Sequence, residues 1–174
     1  YVSPLQIAAS YAAFANGGTY YKPYYITSIT TQDGNTINYN KSGKTAMNKA
    51  TAYMITDMLK GVINSSDGSG TAAKLSGVNQ AGKTGTTSAY SAATGTTSNT
   101  NSGVMDSWMA GYTKNYSIAV WTGFDNAKTS ISSSYTKAAQ YLYRDVMQYL
   151  DAENHASDWT MPSTVEAVQV NGVR

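Results

Sequence analysis

The chain has no cysteine, a single histidine, three prolines and two phenylalanines in 174 residues. Without cysteine there is no disulfide, no thiol nucleophile and no thiolate metal site. One imidazole, His155, cannot build a multi-histidine metal centre, and it reads as an exposed residue beyond the last helix. Charge is scarce as well: Asp, Glu, Lys and Arg make up 13% of the residues and the net charge is +2. No run of Lys and Arg exists to neutralise a phosphate backbone, so nucleic acid is not an expected partner. No apolar stretch approaches the roughly 18 residues that a membrane-spanning helix needs. No signal peptide opens the chain, which begins at Tyr1 and reads as a segment of something longer.

What fills the space is hydroxyl and ring. Tyr and Gly each occur 15 times, amid many Ser, Thr and Asn, and such a surface is common in proteins that work outside the cell. The apolar fraction of 41% suits a single globular unit. Ser3-Pro4-Leu5-Gln6 is a helix start: Ser3 caps, Pro4 suits the first turn and Gln6 completes a capping box. The helix predicted there runs to Ala15 and ends at Gly17-Gly18. Tyr24 to Thr27 and Thr36 to Tyr39 read as strands around Asp33-Gly34. A second helix is expected from Asn48 to Ile63, with Ile55, Met58, Leu59 and Val62 recurring at helical spacing and Lys60 favouring its C-terminal end.

Residues 88–103 read as a long polar loop. Ser107 to Thr113 and Tyr116 to Phe124 flank Lys114-Asn115 as a hairpin, and Ile118 to Trp121 suits a central strand covered on both faces. Tyr135 to Leu150 closes the order as a helix, with Ala138, Ala139, Leu142, Val146 and Leu150 expected inside. The fold class expected is therefore α+β, an antiparallel sheet packed with helices on both faces. Residues 1–155 form its body and 156–174 an extended C-terminal tail.

Three patterns compete for chemistry. Gly77 to Thr84 matches the phosphate-loop spacing G-x-x-x-x-G-K-T. That mechanism needs a helix directly after the lysine, and Gly85-Thr86-Thr87 cannot open one. Ser134-Tyr135-Thr136-Lys137 matches S-x-x-K, a pattern expected about once by chance in a chain this long, and it reads as a decoy. Lys83-Thr84-Gly85 makes chemical sense as a strand edge, although a polar surface strand without a role has the same look. An extended peptide pairs with such a backbone, and Gly85 has no side chain in the way. Lys83 offers charge to a carboxylate and a route for a proton; Thr84 and Thr86 offer hydroxyls, and a strand amide can stabilise an oxyanion.

Around Lys83 the chain resembles the transpeptidase domain of class A, bifunctional penicillin-binding proteins. The blocks that carry the likeness run in order through Ser3 to Gln6, Ala15 to Gly18, Met58 to Val62 and Gly70 to Ala73. They continue through Ala81-Gly82-Lys83-Thr84-Gly85-Thr86-Thr87, Asp106 to Tyr112 and Ala119 to Asn126. The likeness covers roughly residues 1–150, and joint occurrence is far more specific than any one motif. In that family S-x-x-K, S-x-N and K-T-G meet in one cleft. Only the third has a match in the right order, so the resemblance implies that the nucleophile lies on a missing upstream segment carrying the other two, and that the fold is incomplete here.

The activity implied is acyl transfer in peptidoglycan synthesis, with stem peptides as substrates and β-lactams as inhibitors. The resemblance makes Lys83 and Thr86 the catalytic candidates, with the Thr86 amide as an oxyanion donor. Thr84, Gly85, Thr86, Thr87 and Ser88 line the substrate side, with no cofactor and no metal. It places the parent protein, a glycosyltransferase as well, on the extracytoplasmic face of the bacterial membrane, anchored through a missing N-terminal segment. A D,D-carboxypeptidase or a serine β-lactamase shares the Lys-Thr-Gly strand, and the 108–126 hairpin favours the transpeptidase. A cell-surface binding module fits the tyrosine-rich, low-charge surface but leaves the Ser3 and Lys83 blocks unexplained.

Overall fold

The computed structural model describes the chain except residues 1, 40, 89, 92–95, 98–103, 127–128 and 170–174. It begins with helix α1 (Pro4–Ala15), whose capping box forms as the sequence predicts: the Gln6 amide donates to Ser3 Oγ at 3.3 Å and the Ser3 amide donates to Gln6 Oε1 at 2.8 Å. Strand β1 (Thr19–Tyr21) pairs antiparallel with β4 (Gly43–Thr45), and between them β2 (Ser28–Thr30) and β3 (Thr36–Asn38) form a small hairpin. The first strand of that hairpin lies four residues later than expected. The turn at 31–35, with Gly34 at φ +84°, sets the register by pairing Thr30 with Thr36.

Helix α2 (Lys49–Asn64) is capped by Asn48, which accepts from the Thr51 amide at 2.8 Å. A 3₁₀ turn at Thr71–Ala73 leads to strand β5 (Ala81–Ser88). Residues 88–103 are not all loop: Ser88 ends β5, β6 (Tyr90–Ser91) and β7 (Thr96–Thr97) pair, and residues 89, 92–95 and 98–103 lie outside the described residues. Then come β8 (Val104–Tyr112), β9 (Ser117–Gly123), a 3₁₀ turn (Ser133–Tyr135) and helix α3 (Ala138–Glu153). The main sheet is antiparallel in the order β5-β8-β9. Its β8–β9 turn is closed by the Thr113 amide donating to the Tyr116 carbonyl and by Thr113 Oγ1 accepting from the Asn115 and Tyr116 amides.

Side chains alternate across this sheet. On one face Met109 meets Tyr143 and Met147 of α3, with Ile63 of α2 and Ala73, and this cluster is the core. On the other face Tyr112 meets Tyr11 and Phe14 of α1, at ring-centroid distances of 6.1 and 6.4 Å. Helices thus cover both faces. Helix α2 packs against β5 and reaches both layers, since Thr56 Oγ1 and Tyr112 Oη are hydrogen-bonded at 3.0 Å while Ile63 joins the core. Gly111 is obligatory, because a Cβ there would lie 2.5 Å from the Tyr143 ring.

Several elements differ from expectation. The buried stripe of α3 is Ala139, Gln140, Tyr143, Met147 and Asp151, whereas Leu142 and Val146 are about half exposed. The larger Tyr143 and Met147 fill the space over Met109 and Gly111, which turns Leu142 and Val146 outward. Strand β9, expected at the centre, is an edge strand among the described residues. In α2, Met58 is 67% exposed and the buried positions are Ala52, Thr56 and Ile63. Lys60 serves the chain beyond α3 rather than its own helix end: its Nζ lies 2.6 Å from Asp158 Oδ1 and 5.7 Å from the Trp159 ring centroid. Residues 155–169 contain no helix or strand, yet Trp159 Nε1 donates to the Ala15 carbonyl at 2.9 Å and its ring sits 5.5 Å from that of Tyr112.

Candidate active site: the Lys83 strand edge

Strand β5 starts covered and ends open. Ala81 and Gly82 are buried beneath α2 and against β8, then Lys83, Thr84, Gly85, Thr86 and Thr87 rise to partial or full exposure. No strand pairs with β5 on the side away from β8 among the described residues, so backbone donors and acceptors remain for an extended ligand. The register is continuous through the motif: Lys83 faces Ala110, Thr84 faces Met109, Gly85 faces Trp108 and Thr86 faces Ser107, with an irregularity only after Thr87.

That alternation sorts the motif. Lys83 and Gly85 share the α1 face with Ala110 and Trp108, and an open depression of about 270 Å³ lies there. Its walls are Val2, Ile7 and Tyr11 from the α1 region, its floor is Trp108 and Ala110, and Lys83, Thr84 and Gly85 form its rim. Lys83 Nζ donates to the Thr84 carbonyl at 3.0 Å and has no carboxylate partner among the described residues. Thr84 and Thr86 share the opposite face, where Thr84 Oγ1 and Ser69 Oγ are hydrogen-bonded at 2.8 Å. Gly85 has a packing reason besides access: a Cβ there would lie 3.3 Å from Trp108 Cβ, tighter than ordinary contact. The backbone of Ser88 ends β5, and its side chain lies outside the described residues.

Ser69 is a neighbour that sequence reasoning missed. Its carbonyl accepts from Gln140 Nε2 at 3.1 Å, which links the Thr84 support to α3. Only the adjacent Gly70 to Ala73 block hinted at it. Behind β5, Tyr143 donates to Gln80 Oε1 at 3.0 Å and Gln80 Nε2 donates to the Ala73 carbonyl at 3.3 Å, so the approach to the strand is fixed by a buried polar chain. Burial raises the Tyr143 phenol well above its ordinary value. Tyr112 is pushed up to about 12 by burial, with the Thr56 hydrogen bond opposing. Both phenols stay neutral at physiological pH and serve as hydrogen-bonding pillars.

The other two patterns do not assemble. Lys83 of the phosphate-loop match sits inside a strand, not before a helix, so no fan of free helix amides exists there. Ser134 lies in the 3₁₀ turn and Lys137 caps α3 from outside it; both are exposed, and no hydrogen bond joins their side chains. Among the described residues no group of three His, Asp or Glu gathers as a metal site. No described helix is long and apolar enough to cross a membrane.

Residues 1–148 match the family model of the penicillin binding protein transpeptidase domain. Penicillin-binding protein 1A of Streptococcus pneumoniae is 42% identical over 174 residues, covering 97% of this chain and 24% of that protein. Penicillin-binding protein 1A/1B of Bacillus subtilis is 38% identical over 182 residues, covering 98% of this chain and 19% of that protein. The chain thus spans a quarter or less of the length of these relatives. Among solved structures, the penicillin-binding protein PonA1 of Mycobacterium tuberculosis superposes with a TM-score of 0.72 at 25% identity, over 97% of this chain and 43% of that one. The same protein in complex with penicillin V gives 0.71 at 26% identity, over 92% and 41% of the two chains. On its sequence, its sheet order and these likenesses, the chain belongs to the penicillin-binding protein transpeptidase family, as the portion of a class A domain that carries the Lys-Thr-Gly strand.

Proposed function

We propose that this chain supplies the β5 wall of a serine-type D,D-transpeptidase site, with the nucleophile on an upstream segment. The serine hydroxyl attacks the D-Ala-D-Ala carbonyl of a peptidoglycan stem peptide; its proton is taken up within the cleft and D-Ala leaves as the amine. The acyl-enzyme then passes to an amine of a neighbouring stem, which forms the crosslink and frees the serine. Lys83 steadies the substrate carboxylate and the proton relay. Thr84 and Thr86 bind that carboxylate, the Thr86 amide donates to the oxyanion, and Thr87 and Ser88 extend the same wall. β-Lactams acylate the same serine, consistent with the penicillin V complex of PonA1.

The carrying observation is the open edge of β5, where Lys83 has no carboxylate partner among the described residues and sits at the rim of a depression walled by residues of the α1 region. The upstream segment has a place to sit: among the described residues β9 has no second strand partner, and Leu142 and Val146 of α3 face outward. In this reading residues 1–155 belong to the transpeptidase domain and 156–174 are an appended segment. The parent enzyme, a glycosyltransferase too, works at the extracytoplasmic face of the membrane through an anchor elsewhere in it. A carboxypeptidase would use water in place of the acceptor amine at the same edge.

The test is to label the complete parent protein with fluorescent penicillin, digest it, and locate the label by mass. Label on a serine outside residues 1–174 is expected. Label on Ser134, or none at all, overturns the assignment.

A further inference from the structure

The cavity of greatest volume among those described lies away from the Lys83 edge, at the β8–β9 turn. It measures about 600 Å³, opens to solvent, and lies between the end of α1, the β1–β4 region and residues 113–117. Three tyrosines line it, Tyr21, Tyr24 and Tyr116, with two lysines, Lys41 and Lys114, and no Asp or Glu. Neither lysine is ion-paired among the described residues: Lys41 Nζ lies 5.4 Å from the Tyr24 ring centroid, and Lys114 Nζ donates only to Ser157 Oγ, at 3.3 Å. In a chain with so little charge, two cations facing one aromatic cleft without a carboxylate leave an anion's place open.

The aromatic part is preset. Tyr24 stacks on Tyr39 with ring centroids 4.3 Å apart, so it offers a fixed wall at little entropic cost. Asn16 uses its side-chain oxygen to accept from the Thr19 amide, which orients its amide group and leaves NH donors to spare. Flat rings with polar rims, amide donors and cations, in an open trough instead of a closed pocket, suit a polymer of hydroxylated rings bearing carboxylates.

We propose that this cleft binds a carboxylate-bearing saccharide chain at a site separate from the Lys83 edge. The proposal goes beyond the transpeptidase reading and does not depend on it.

The test uses the complete parent protein, with hyaluronan hexasaccharide as the carboxylated N-acetylhexosamine probe and chitohexaose as its uncharged counterpart, by titration calorimetry. Expected is saturable hyaluronan binding at least fivefold tighter than chitohexaose. The K41Q/K114Q double variant should lose it at least fivefold, and Y21A should weaken both sugars. Fluorescent-penicillin labelling serves as the control for folding and should be unchanged in every variant. Absence of hyaluronan binding, or equal binding by K41Q/K114Q with normal labelling, overturns the proposal. So does inorganic polyphosphate displacing the sugar at equal concentration in wild type and Y21A alike, which marks a general anion patch. Failure of the wild type to take penicillin while still binding hyaluronan sinks the transpeptidase reading and leaves the saccharide site standing.

Discussion

The main sheet begins with Ala-Gly-Lys-Thr-Gly-Thr-Thr-Ser in β5 and ends with Ser-Ile-Ala-Val-Trp-Thr-Gly in β9, and the two edges meet solvent in opposite ways. Edge β5 is polar, carries a lysine with no carboxylate partner among the described residues, and is braced from behind by Ser69, Gln80 and Tyr143. Edge β9 is apolar along its middle, with Ile118 and Val120 packed on the core from one side and Trp121 36% exposed on the other. Natural sheets blunt free edges with charge, and a long apolar edge is a pairing surface. The polar edge suits a ligand that comes and goes; the apolar edge suits a neighbour that stays. Nearby, the outward Leu142 and Val146 on α3 repeat the second message.

The sharpest way to break this comparison is at the polar edge. In the complete protein, Lys83→Ala should slow penicillin acylation by about 10²–10³-fold, the range for removing one group that stabilises developing charge. Stability should barely move, because Lys83 is exposed and its hydrogen bond is to a carbonyl one residue away. Rapid-mixing kinetics with fluorescent penicillin, alongside a denaturant melt, separates the two. An unchanged acylation rate removes Lys83 from the site.

Next in size is the apolar side. A paired Leu142→Asp and Val146→Asp change should destabilise the complete protein by roughly 2–4 kcal/mol, the scale of placing polar groups at a covered apolar contact. Thr87→Asp on the β5 side should stay within about 0.5 kcal/mol, as for ordinary surface positions. Urea unfolding of both variants makes the contrast direct. If the α3 variant is as stable as wild type, that stripe is plain surface and the asymmetry between the edges is confined to the strands.

What the sequence revealed follows the same division. The α1 cap was legible because Ser3, Pro4 and Gln6 are a local code, satisfied within one turn. The Lys83 strand was legible because Gly85-Thr86-Thr87 forbids a helix and the hairpin beyond it is strongly β-forming. The facing of α3 was not. Leu142 and Val146 are as apolar as Tyr143 and Met147, and only the glycine at 111, which makes room for the Tyr143 ring, decides which pair turns inward. The place of β9 has a related reason: a strand apolar on both faces implies cover, but not whether the described residues supply it. Ser69 was invisible because its contact with Thr84 spans a turn with no periodic signal.

That contact yields the finest test of how the polar edge is built. Thr84→Val removes a hydroxyl from the carboxylate wall and should slow acylation about tenfold, near the roughly 1.4 kcal/mol of one modest hydrogen bond. Ser69→Ala leaves Thr84 its hydroxyl but removes the partner 2.8 Å away, so the hydroxyl is free to rotate. If Ser69 acts by orienting Thr84, its loss should slow acylation by about two- to fivefold, within the range of neutral hydrogen bonds. On a Thr84→Val background the same change should then do nothing further, since no hydroxyl is left to orient. A double-mutant cycle measures this coupling free of each variant's separate effects. Additive slowing would mean that Ser69 serves the loop at 65–70 and not the strand, and that the support behind Thr84 comes from Met109 and β8 alone.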